Sequence, residues 1–556
     1  MPSFQSKYPW WYGCVIYEIY IRSFYDSNGD GVGDLRGIIK KLDYLASLPI
    51  DALWITPFYQ SPMKDYGYDI SDYYAVDPLF GTLEDFEELI EEAHARNLKI
   101  VVDQVWSHTS DIHPWFIESC SNRHNSKADW YIWADSNHGD VPNNWLSIFG
   151  GTAWKWCESR QQYYLHNFID GQPDLNWHNP DVVREIMKVV EFWLDKGVDG
   201  VRLDACNYYM HDQSLLDNPT RTKGMPNQDG VSPLNPYSKF INLHNMNEVK
   251  NIKSLRRIRK TLNKYPGTFA IGEIVAADDP MRQTVEYIRG ANRLHTAYNS
   301  ALLVNDKLTP KLIAEAVEDL SIHLEADEEE MICITMSTHD FPRARSRWQP
   351  DNACLIPAFE KMLISLLPTL RGIICLYQGE ELGLTETNVS KEKMKDPFGI
   401  FFYPYFAGRD GCRTPMPWKS NAKNFGFTDS EEPWLPVDER YQSLAVSVQE
   451  EREDSMLNYF RFFLKWRNRQ PALKYGSVEL IEAGDSVLSF LRKTPDQELL
   501  CVFNISEQTN SYLISFRYGK EIIGSNIRSF PTTNLGNGQR TVEMEPFGFG
   551  IFERES

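Results

Sequence analysis

Short runs of β-branched and aromatic residues alternate along the chain with segments whose apolar residues recur at helical spacing. This alternation is typical of strand–helix units around a parallel sheet. The segment Thr82–Arg96, for example, predicts a helix with Glu84, Asp85 and Glu87 near its N-terminus, where the helix dipole favours negative charge. The candidate strands are Val15–Phe24, Ala52–Pro57, Lys99–Val105, Gly200–Ala205, Phe269–Ile274, Leu294–Asn299, Ile332–Ser337 and Ile373–Tyr377. Eight such units predict an α/β fold of the (β/α)8 TIM-barrel type.

Two stretches interrupt this alternation. Sequence rich in Ser, Asn and Trp from about Trp106 to Trp177 separates the third strand from the next helix and predicts an inserted subdomain. A second insertion, at about 382–455, follows the last strand, and after about Gly476 short strands alternate with turns, which predicts a C-terminal antiparallel β domain. We therefore expect a barrel formed by residues 1–105 and 178–475, an inserted subdomain at 106–177 and a C-terminal β-sandwich at 476–556.

The chain is acidic, because 57 basic residues against 77 acidic residues give a net charge of −20. A surface of this charge repels nucleic acid and anionic membranes, so we expect neither as a partner and expect a neutral or cationic small molecule instead. Apolar residues make up 42% and charged residues 24%, an ordinary globular composition that argues against disorder. The sequence leaves open whether the protein is a monomer or a small homo-oligomer.

Nine cysteines are scattered without a CxxC pair or a regular framework, which predicts reduced structural thiols in a cytosolic protein. The N-terminal segment Met1–Tyr12 lacks the basic stretch and apolar run of a signal peptide. The most apolar later stretch, Met362–Tyr377, is broken by Pro368 and Arg371 and is too short to span a bilayer. We therefore predict a cytoplasmic protein.

Polar residues stand at the carboxyl ends of four predicted strands. They are Asp103 and His108, Arg202 and Asp204, Glu273, and His339 and Asp340. Any one of them alone could be a structural ion pair or a polar strand end. Because a TIM barrel gathers the carboxyl ends of its strands around one mouth, where its active site lies, four such ends favour a functional site.

The two central segments indicate chemistry by a pair of carboxylates. In a strand, Arg202 and Asp204 point to the same side, so Arg202 is expected to favour ionised Asp204, which suits a nucleophile. Glu273 follows Ile271 and Gly272 with little charge nearby in sequence, so its surroundings are expected to raise its pKa, which suits a general acid. Glycosyl transfer needs such a pair, since one group protonates the leaving oxygen and the other traps the oxocarbenium-like centre.

These segments resemble the conserved regions of glycoside hydrolase family 13, the α-amylase superfamily. The resembling segments are Asp103–His108, Gly200–Asn207, Ile271–Glu273, Ser337–Asp340 and, within the inserted subdomain, Gln172–Asn176. The resemblance covers essentially the whole chain and is nearest to the bacterial α-glucosidases, oligo-1,6-glucosidases and dextran glucosidases. One departure is Trp106-Ser107 before His108, where many members carry an aliphatic residue and an asparagine.

The resemblance implies three catalytic carboxylates. Asp204 would be the nucleophile, Glu273 the acid/base, and Asp340 the third carboxylate, which holds and distorts the sugar ring at the cleavage site. The residues implied to contact that glucose are His108, Arg202 and His339.

The resemblance also implies a pocket that is closed at one end. Asp65 would bind the terminal hydroxyls, Tyr68 would stack on the sugar ring, and Arg409 would close the blind end, with Phe149 and Phe168 lining the pocket. A closed end implies release of one glucose from the non-reducing end rather than cleavage in mid-chain.

The segment 26–34 places oxygen ligands at alternating positions. The candidate metal ligands are Asp26, Asn28, Asp30, the carbonyl of Val32 and Asp34. The loop begins like an EF-hand, but its twelfth position is Gly37 rather than the bidentate glutamate, which excludes an EF-hand. Related α-glucosidases bind calcium or magnesium with a loop that this one resembles, so the resemblance implies a structural Ca²⁺ (or Mg²⁺) site. The alternative is a Gly/Asp-rich turn after the first strand.

Ala205 follows the implied nucleophile. In the subgroup that the chain resembles, a valine there accompanies α-1,6 cleavage and smaller or hydroxyl residues accompany α-1,4 cleavage, so we expect a preference for maltose-like α-1,4 links. Four alternatives stay open: an oligo-1,6-glucosidase or dextran glucosidase, a transferase to sugar or alcohol acceptors, a sucrose isomerase or trehalose synthase, and a non-catalytic heavy chain of an amino-acid transporter. The last would need a membrane span and can lack the carboxylate pair.

Overall fold

The computed structural model describes residues 8–304, 307–323, 330–518, 520–530 and 539–555. Residues 1–7 of the segment considered for a signal peptide, and the last residue of the predicted C-terminal domain, lie outside the described residues. No helix in the described ranges is both long enough and apolar enough to cross a membrane.

Eight parallel strands form the centre of the molecule. In chain order, these barrel strands are Val15–Ile19, Ala52–Ile55, Lys99–Gln104, Gly200–Leu203, Phe269–Glu273, Thr296–Tyr298, Cys333–Ile334 and Ile373–Tyr377. Their hydrogen-bonded order is six, five, four, three, two, one, eight, seven. The hydroxyl of Thr296, in the sixth strand, donates to the carbonyl of Met331 at 2.7 Å, just before the seventh, so the two ends of this order meet. The predicted TIM barrel is confirmed.

Helices alternate with these strands. The α-helices are Leu35–Lys40, Leu42–Ser47, Leu83–Ala95, Pro114–Ser121, Pro180–Asp195, Asn251–Leu262, Pro280–Ile288, Pro310–His323, Ala344–Arg347, Ile356–Leu366, Pro397–Phe402, Val446–Glu450, Met456–Arg467 and Pro471–Tyr475. The helix predicted at Thr82–Arg96 spans Leu83–Ala95, and Thr82 and Asp85 form a capping box at its start. Its apolar face, which includes Leu89, is buried.

The period of two along the strands decides which residues enter the barrel. Ile16, Trp54, Val101 and Ile271 pack together in the interior, and the indole of Trp11 covers its amino end against Phe269 at 5.5 Å between ring centroids. Two residues farther along the same strand faces, toward the carboxyl ends, the apolar residues give way to charged ones. These are Glu18 after Ile16, Asp103 after Val101, and Glu273 after Ile271.

Two insertions carry loops to the carboxyl end of the barrel. After the second barrel strand, the short antiparallel pair Tyr59–Gln60 and Asp72–Val76 holds the loop that contains Asp65 and Tyr68. After the third, a three-stranded antiparallel sheet forms the core of the inserted subdomain. Its strands are Trp133–Ala134, Trp154–Cys157 and Gln162–Leu165.

The prediction that all nine cysteines are reduced is wrong for one pair. Cys120, in helix Pro114–Ser121, and Cys157, at the end of a strand of the inserted subdomain, form a disulfide. The other seven cysteines, all in the described ranges, are free. Nothing in their spacing shows the pair, because the segment between them, at a sequence separation of 37, folds into the strands that bring the two together.

The C-terminal antiparallel β domain is confirmed. Its strands are Ser477–Ala483, Val487–Thr494, Gln497–Asn504, Asn510–Ser515, Lys520–Phe530 and Gln539–Glu553. The long last strand pairs with three of the others, so all six belong to one hydrogen-bonded sheet. One face of the sheet, with Phe503 and Phe549, joins the core of the barrel, and the other, with Val502 and Phe552, buries a separate apolar cluster.

Candidate active site

A cavity of about 680 Å³ opens at the carboxyl ends of the barrel strands. Most of the predicted site residues line it: Asp65, Tyr68, His108, Phe149, Phe168, Asp204, Glu273, Asp340 and Arg409. Arg202 and His339 do not line it, because both are fully buried beneath it and contact its carboxylates instead. The structure thus brings together all eleven residues, but it places two of them behind the cavity wall rather than against a ligand.

Arg202 is the centre of a cluster of buried carboxylates. Its Nη1 atom donates to Oδ1 of Asp204 at 2.7 Å and to Oδ1 of Asp103 at 2.8 Å. Its Nη2 atom lies 2.6 Å from Oε2 of Glu273. The predicted contact between Arg202 and Asp204 is therefore present. The expectation that Glu273 has little charge nearby is wrong, because the fourth and fifth barrel strands are neighbours and pair Arg202 with Ile271, two residues before Glu273.

Burial controls the protonation of the two central carboxyls. It raises the pKa of Glu273 to about 7, as predicted in direction, although Arg202 opposes the shift. Burial also raises the pKa of Asp204 to about 7. Arg202 favours ionised Asp204, as predicted, and desolvation opposes it as the larger effect. Two carboxyls on one guanidinium titrate as a pair, so near neutral pH the pair can hold one proton.

Asp340 lies in a different electrostatic setting. Its Oδ1 atom accepts from Nη1 of Arg409 at 3.0 Å and from Nη2 of Arg413 at 2.8 Å, while its Oδ2 atom lies 3.2 Å from Nε2 of His339. Burial by itself would raise the pKa of Asp340, but the adjacent imidazole and the two guanidinium groups hold that pKa below its ordinary range. Asp340 is therefore ionised at neutral pH and suits the binding of hydroxyl groups rather than proton transfer.

Arg409 lies in the wall of the cavity. Its Nη2 atom lies 2.9 Å from Oδ1 of Asp65 and 2.7 Å from Oδ1 of Asp396, and its guanidinium lies 5.1 Å from the ring centroid of Phe149 in the inserted subdomain. Asp65 also accepts a hydrogen bond from Nε2 of Gln172 at 3.1 Å. Arg409, in the predicted insertion at about 382–455, thus contacts the Asp65 loop through an ion pair and the inserted subdomain through the ring of Phe149.

The neighbouring aromatic and imidazole groups are held by the protein. The ring of His108 uses both nitrogens, Nε2 with the carbonyl of Tyr68 at 2.9 Å and Nδ1 with the hydroxyl of Ser107 at 3.0 Å. Ser107, part of the departure noted in the sequence, is thus a partner of His108. Burial lowers the pKa of His108 to about 4, so this imidazole is neutral. The ring of Tyr68 stacks on His339 at 5.3 Å, and its hydroxyl lies 2.7 Å from His339 Nε2.

The sequence of the chain is similar to those of known proteins. Residues 18–476 match the family Alpha-amylase, described as alpha amylase, catalytic domain. The chain belongs to the alpha-amylase family. It is 47% identical over 500 residues to a probable alpha-glucosidase of Rhizobium meliloti (strain 1021), covering 90% of each chain. It is 36% identical over 528 residues to an oligo-1,6-glucosidase of Parageobacillus thermoglucosidasius, covering 90% of this chain and 91% of that one.

Solved structures of the alpha-amylase family resemble it over nearly the full length. The alpha-glucosyl transfer enzyme XgtA superposes with a TM-score of 0.91 at 45% identity, covering 99% of this chain and 100% of the other. Isomaltulose synthase from Erwinia rhapontici NX5 superposes with a TM-score of 0.86 at 32% identity, covering 98% and 99%. The match to the alpha-amylase catalytic domain and the glucosidase relatives show that this family member is a glycoside hydrolase.

Several residues of this alpha-amylase family site were not predicted. The hydroxyl of Tyr298 donates to Oε1 of Glu273 at 3.0 Å, Arg413 and Asp396 hold Asp340 and Arg409, and Glu18 contacts Nδ1 of His339. Glu18 could have been found, because it is the one charged residue in the otherwise apolar first strand, Val15–Ile19. Burial raises the pKa of Glu18 well above its ordinary value.

The predicted metal loop lies between the first barrel strand and helix Leu35–Lys40. Oδ1 of Asp26 accepts from the backbone N–H of Asn28 at 3.0 Å, and Oδ1 of Asp30 accepts from that of Val32 at 2.8 Å. Asp34 caps the helix through the N–H of Gly37 at 2.6 Å. Among the residues that the structure describes, no group of three or more His, Cys, Asp or Glu side chains is arranged to hold a metal ion. The oxygen donors have the chemistry that calcium prefers, and their own backbone hydrogen bonds already hold the turn.

Proposed function

We propose that this glycoside hydrolase is a retaining, exo-acting α-glucosidase that releases terminal glucose from the non-reducing end of short α-glucosides. The observation that carries the proposal is the position of Asp204 and Glu273 on one guanidinium at the ends of adjacent barrel strands. Retaining glycosidases place their two carboxyl groups about 5–5.5 Å apart and inverting ones about 6.5–9.5 Å. A guanidinium shared by both carboxyls favours the closer arrangement.

The protonation of Asp204 and Glu273 supports a double displacement. In the first step, Glu273 donates its proton to the glycosidic oxygen while Asp204 attacks the anomeric carbon, and the bond to the leaving group breaks. In the second, ionised Glu273 takes a proton from water, which attacks the anomeric carbon and frees Asp204. Because both displacements invert the anomeric centre, the released glucose keeps the α configuration. A pair that holds one proton near neutral pH supplies the starting state.

The ion pairs around Arg409 support exo-cleavage. Asp65 and Arg409 both line the cavity and form an ion pair, and Asp340 lies beside them. Such groups match the hydroxyls of a terminal glucose, and we infer that they close this end of the cavity to a further sugar. We therefore expect glucose as the first product from every substrate length.

Linkage preference and transfer belong to the same proposal. Ala205 lines the cavity beside Asp204, and its small side chain is the basis for the expected α-1,4 preference. Transfer of glucose to sugar or alcohol acceptors is supported by the similarity to an alpha-glucosyl transfer enzyme. Two specific similarities favour second candidates: the oligo-1,6-glucosidases argue for α-1,6 cleavage, and the isomaltulose synthase argues for isomerisation of sucrose.

Proton NMR of the purified enzyme on maltose, followed from the first seconds, tests the proposal. α-Glucose released first, with new α-glucosidic signals at high maltose, is the expected result. β-Glucose released first would mean inversion and would overturn the mechanism. The same assay on isomaltose, sucrose and trehalose decides linkage: a kcat/KM higher on isomaltose than on maltose contradicts the α-1,4 preference, and isomaltulose formed from sucrose establishes the isomerase instead.

We also propose a structural Ca²⁺ (or Mg²⁺) in the 26–34 loop and a cytoplasmic location; the seven free cysteines support that location, and the Cys120–Cys157 disulfide is the observation against it. The support for the ion is the donor chemistry of the loop, in which oxygens recur at every second residue. The ion would stabilise the turn that precedes helix Leu35–Lys40, and no step of the reaction depends on it.

A further inference from the structure

Tyr298 lies between the carboxyl of Glu273 and the guanidinium of Arg202. It ends the sixth barrel strand and is paired in register with Glu273, the last residue of the fifth. Its hydroxyl donates to Oε1 of Glu273 at 3.0 Å and accepts from Arg202, at 3.2 Å from Nε and 2.8 Å from Nη2. It lines the cavity although it is only 3% exposed.

The two oxygens of Glu273 have different partners. Oε2 contacts two groups that can only donate, the backbone N–H of Ala205 at 3.0 Å and Nη2 of Arg202 at 2.6 Å. A proton on Oε2 would therefore face two donors and find no acceptor. Oε1 has the Tyr298 hydroxyl as its hydrogen-bond partner within the described part of the chain, and a hydroxyl can rotate. The acid form of Glu273 must therefore carry its proton on Oε1.

We propose that Tyr298 is a positioning residue that keeps Oε1 of Glu273 aimed at the leaving group as the oxygen that gives and regains the proton. The inference rests on the proposed acid/base role of Glu273. When Oε1 passes its proton to the glycosidic oxygen, the carbon–oxygen bond breaks with its electrons on the departing alcohol. The Tyr298 hydroxyl then donates to the newly ionised Oε1. In the second step, Oε1 accepts a proton from the attacking water and the hydroxyl turns aside.

A comparison of leaving groups tests the role of Tyr298. Maltose leaves as a sugar alcohol and needs the proton of Glu273, whereas α-glucosyl fluoride leaves as fluoride and needs little protonation. For Y298F we expect kcat/KM to fall about 10- to 100-fold on maltose and less than about threefold on the fluoride, because only acid catalysis is impaired. The matched control is Y131F, which also removes a buried hydroxyl, one that contacts the Thr109 hydroxyl at 2.7 Å. Y131F should leave both rates within about twofold.

The pH profile gives a second readout. The titratable and charged groups that face Glu273 are Asp103, Arg202, Asp204, Cys206, Tyr208, Tyr298 and Asp340. Y298F leaves the others in place and removes a donor to ionised Glu273, so the basic limb of kcat/KM should move to higher pH. 3-Fluorotyrosine at position 298 keeps the size of the residue and donates more strongly, so it should move that limb to lower pH.

The outcomes separate this inference from the proposed function. An equal loss on both substrates with an unmoved basic limb would assign Tyr298 a purely structural role and overturn the inference. So would a basic limb that 3-fluorotyrosine leaves unmoved. A wild-type enzyme inactive on maltose, isomaltose, sucrose and the fluoride alike would overturn the proposed function first, and the inference with it.

Discussion

Nη2 of Arg202 lies 2.6 Å from Oε2 of Glu273, while Nη1 of the same side chain lies 2.7 Å from Oδ1 of Asp204. One buried guanidinium therefore sets the spacing of the two carboxyls and opposes the rise that burial produces in the pKa of each. The proposed nucleophile and acid/base are thus coupled through one residue that does not itself line the cavity.

Replacing Arg202 with lysine should impair both activity and stability. A single ammonium cannot contact Asp103, Asp204 and Glu273 together in the fork geometry of a guanidinium. We expect kcat/KM on maltose to fall by at least about 100-fold, and stability to fall by about 3–5 kcal/mol as buried carboxylates lose their partner. Steady-state kinetics and thermal melts measure the two effects. R184K, which alters an exposed pair with Asp181, is the control and should change neither. Full activity in R202K would contradict the shared-guanidinium argument.

Amide variants of Asp204 and Glu273 should lose activity on different substrates. D204N should lose at least about 10⁴-fold in kcat on both maltose and α-glucosyl fluoride, because no nucleophile remains. E273Q should lose activity on maltose but still react with the fluoride, whose leaving group needs no acid. With azide added, mass spectrometry and NMR should show β-glucosyl azide from D204N and α-glucosyl azide from E273Q. The opposite pattern of anomers would exchange the two assignments.

The amide variant E273Q should change how the free energy of unfolding depends on pH. Burial raises the pKa of Glu273 to about 7, so the folded protein binds that proton more tightly than the unfolded chain does. Its stabilising contribution is fully present below the unfolded pKa of about 4 and is lost as pH rises through about 7. Glutamine does not titrate, so E273Q does not lose stability in this way as pH rises. Its free energy of unfolding should therefore exceed that of the wild type at pH 8, by on the order of 1–3 kcal/mol, and about equal it at pH 5.

Urea unfolding at pH 5 and pH 8 measures this difference. The exposed E451Q is the control and should match wild type at both values. An E273Q variant that is less stable than wild type at pH 8 would show that Glu273 is ionised without cost in the folded protein.

Removing the Arg409 side chain should weaken recognition of the terminal glucose. R409A removes the partner of Asp65 and one partner of Asp340. We expect kcat/KM on maltose to fall about 100- to 1000-fold, since Asp65 and Asp396 lose their ion pairs with Arg409. R440A, which removes an exposed arginine and its ion pair with Asp438, is the control and should stay within about twofold. Chromatography of products from maltotetraose should show glucose first with the wild type. Early maltose would contradict a closed end.

Chelation tests the loop at 26–34. If it holds a divalent cation, EDTA should lower Tm by several degrees, and added Ca²⁺ should restore it, because an ion that binds only the folded state stabilises that state. D30N removes one charged ligand and should reduce the effect of EDTA. If neither Tm nor activity responds to EDTA, the segment is a Gly/Asp turn held by its own hydrogen bonds.

Strand periodicity explains why much of this site was predictable. The alternation in Gly200–Leu203 and Phe269–Glu273 places Arg202 and Glu273 on the barrel interior, and that alternation depends only on neighbouring residues in the chain. For the same reason, the sequence indicated the barrel, the inserted subdomain and the polar strand ends that gather at one mouth.

Contacts between segments were decided by the tertiary structure. The register of the fourth and fifth strands puts Arg202 against Glu273, that of the fifth and sixth puts Tyr298 on Oε1 of Glu273, and the fold of the inserted subdomain joins Cys120 to Cys157. Burial, also a property of the whole fold, decides the pKa of Asp204 against the effect of its nearest charge. The sequence by itself determined which strand ends supply Arg202, Asp204 and Glu273, but it did not reveal Tyr298, Arg413 or Asp396. Their partners and protonation depend on distances across strands and on exclusion of water, which exist only once the barrel has closed.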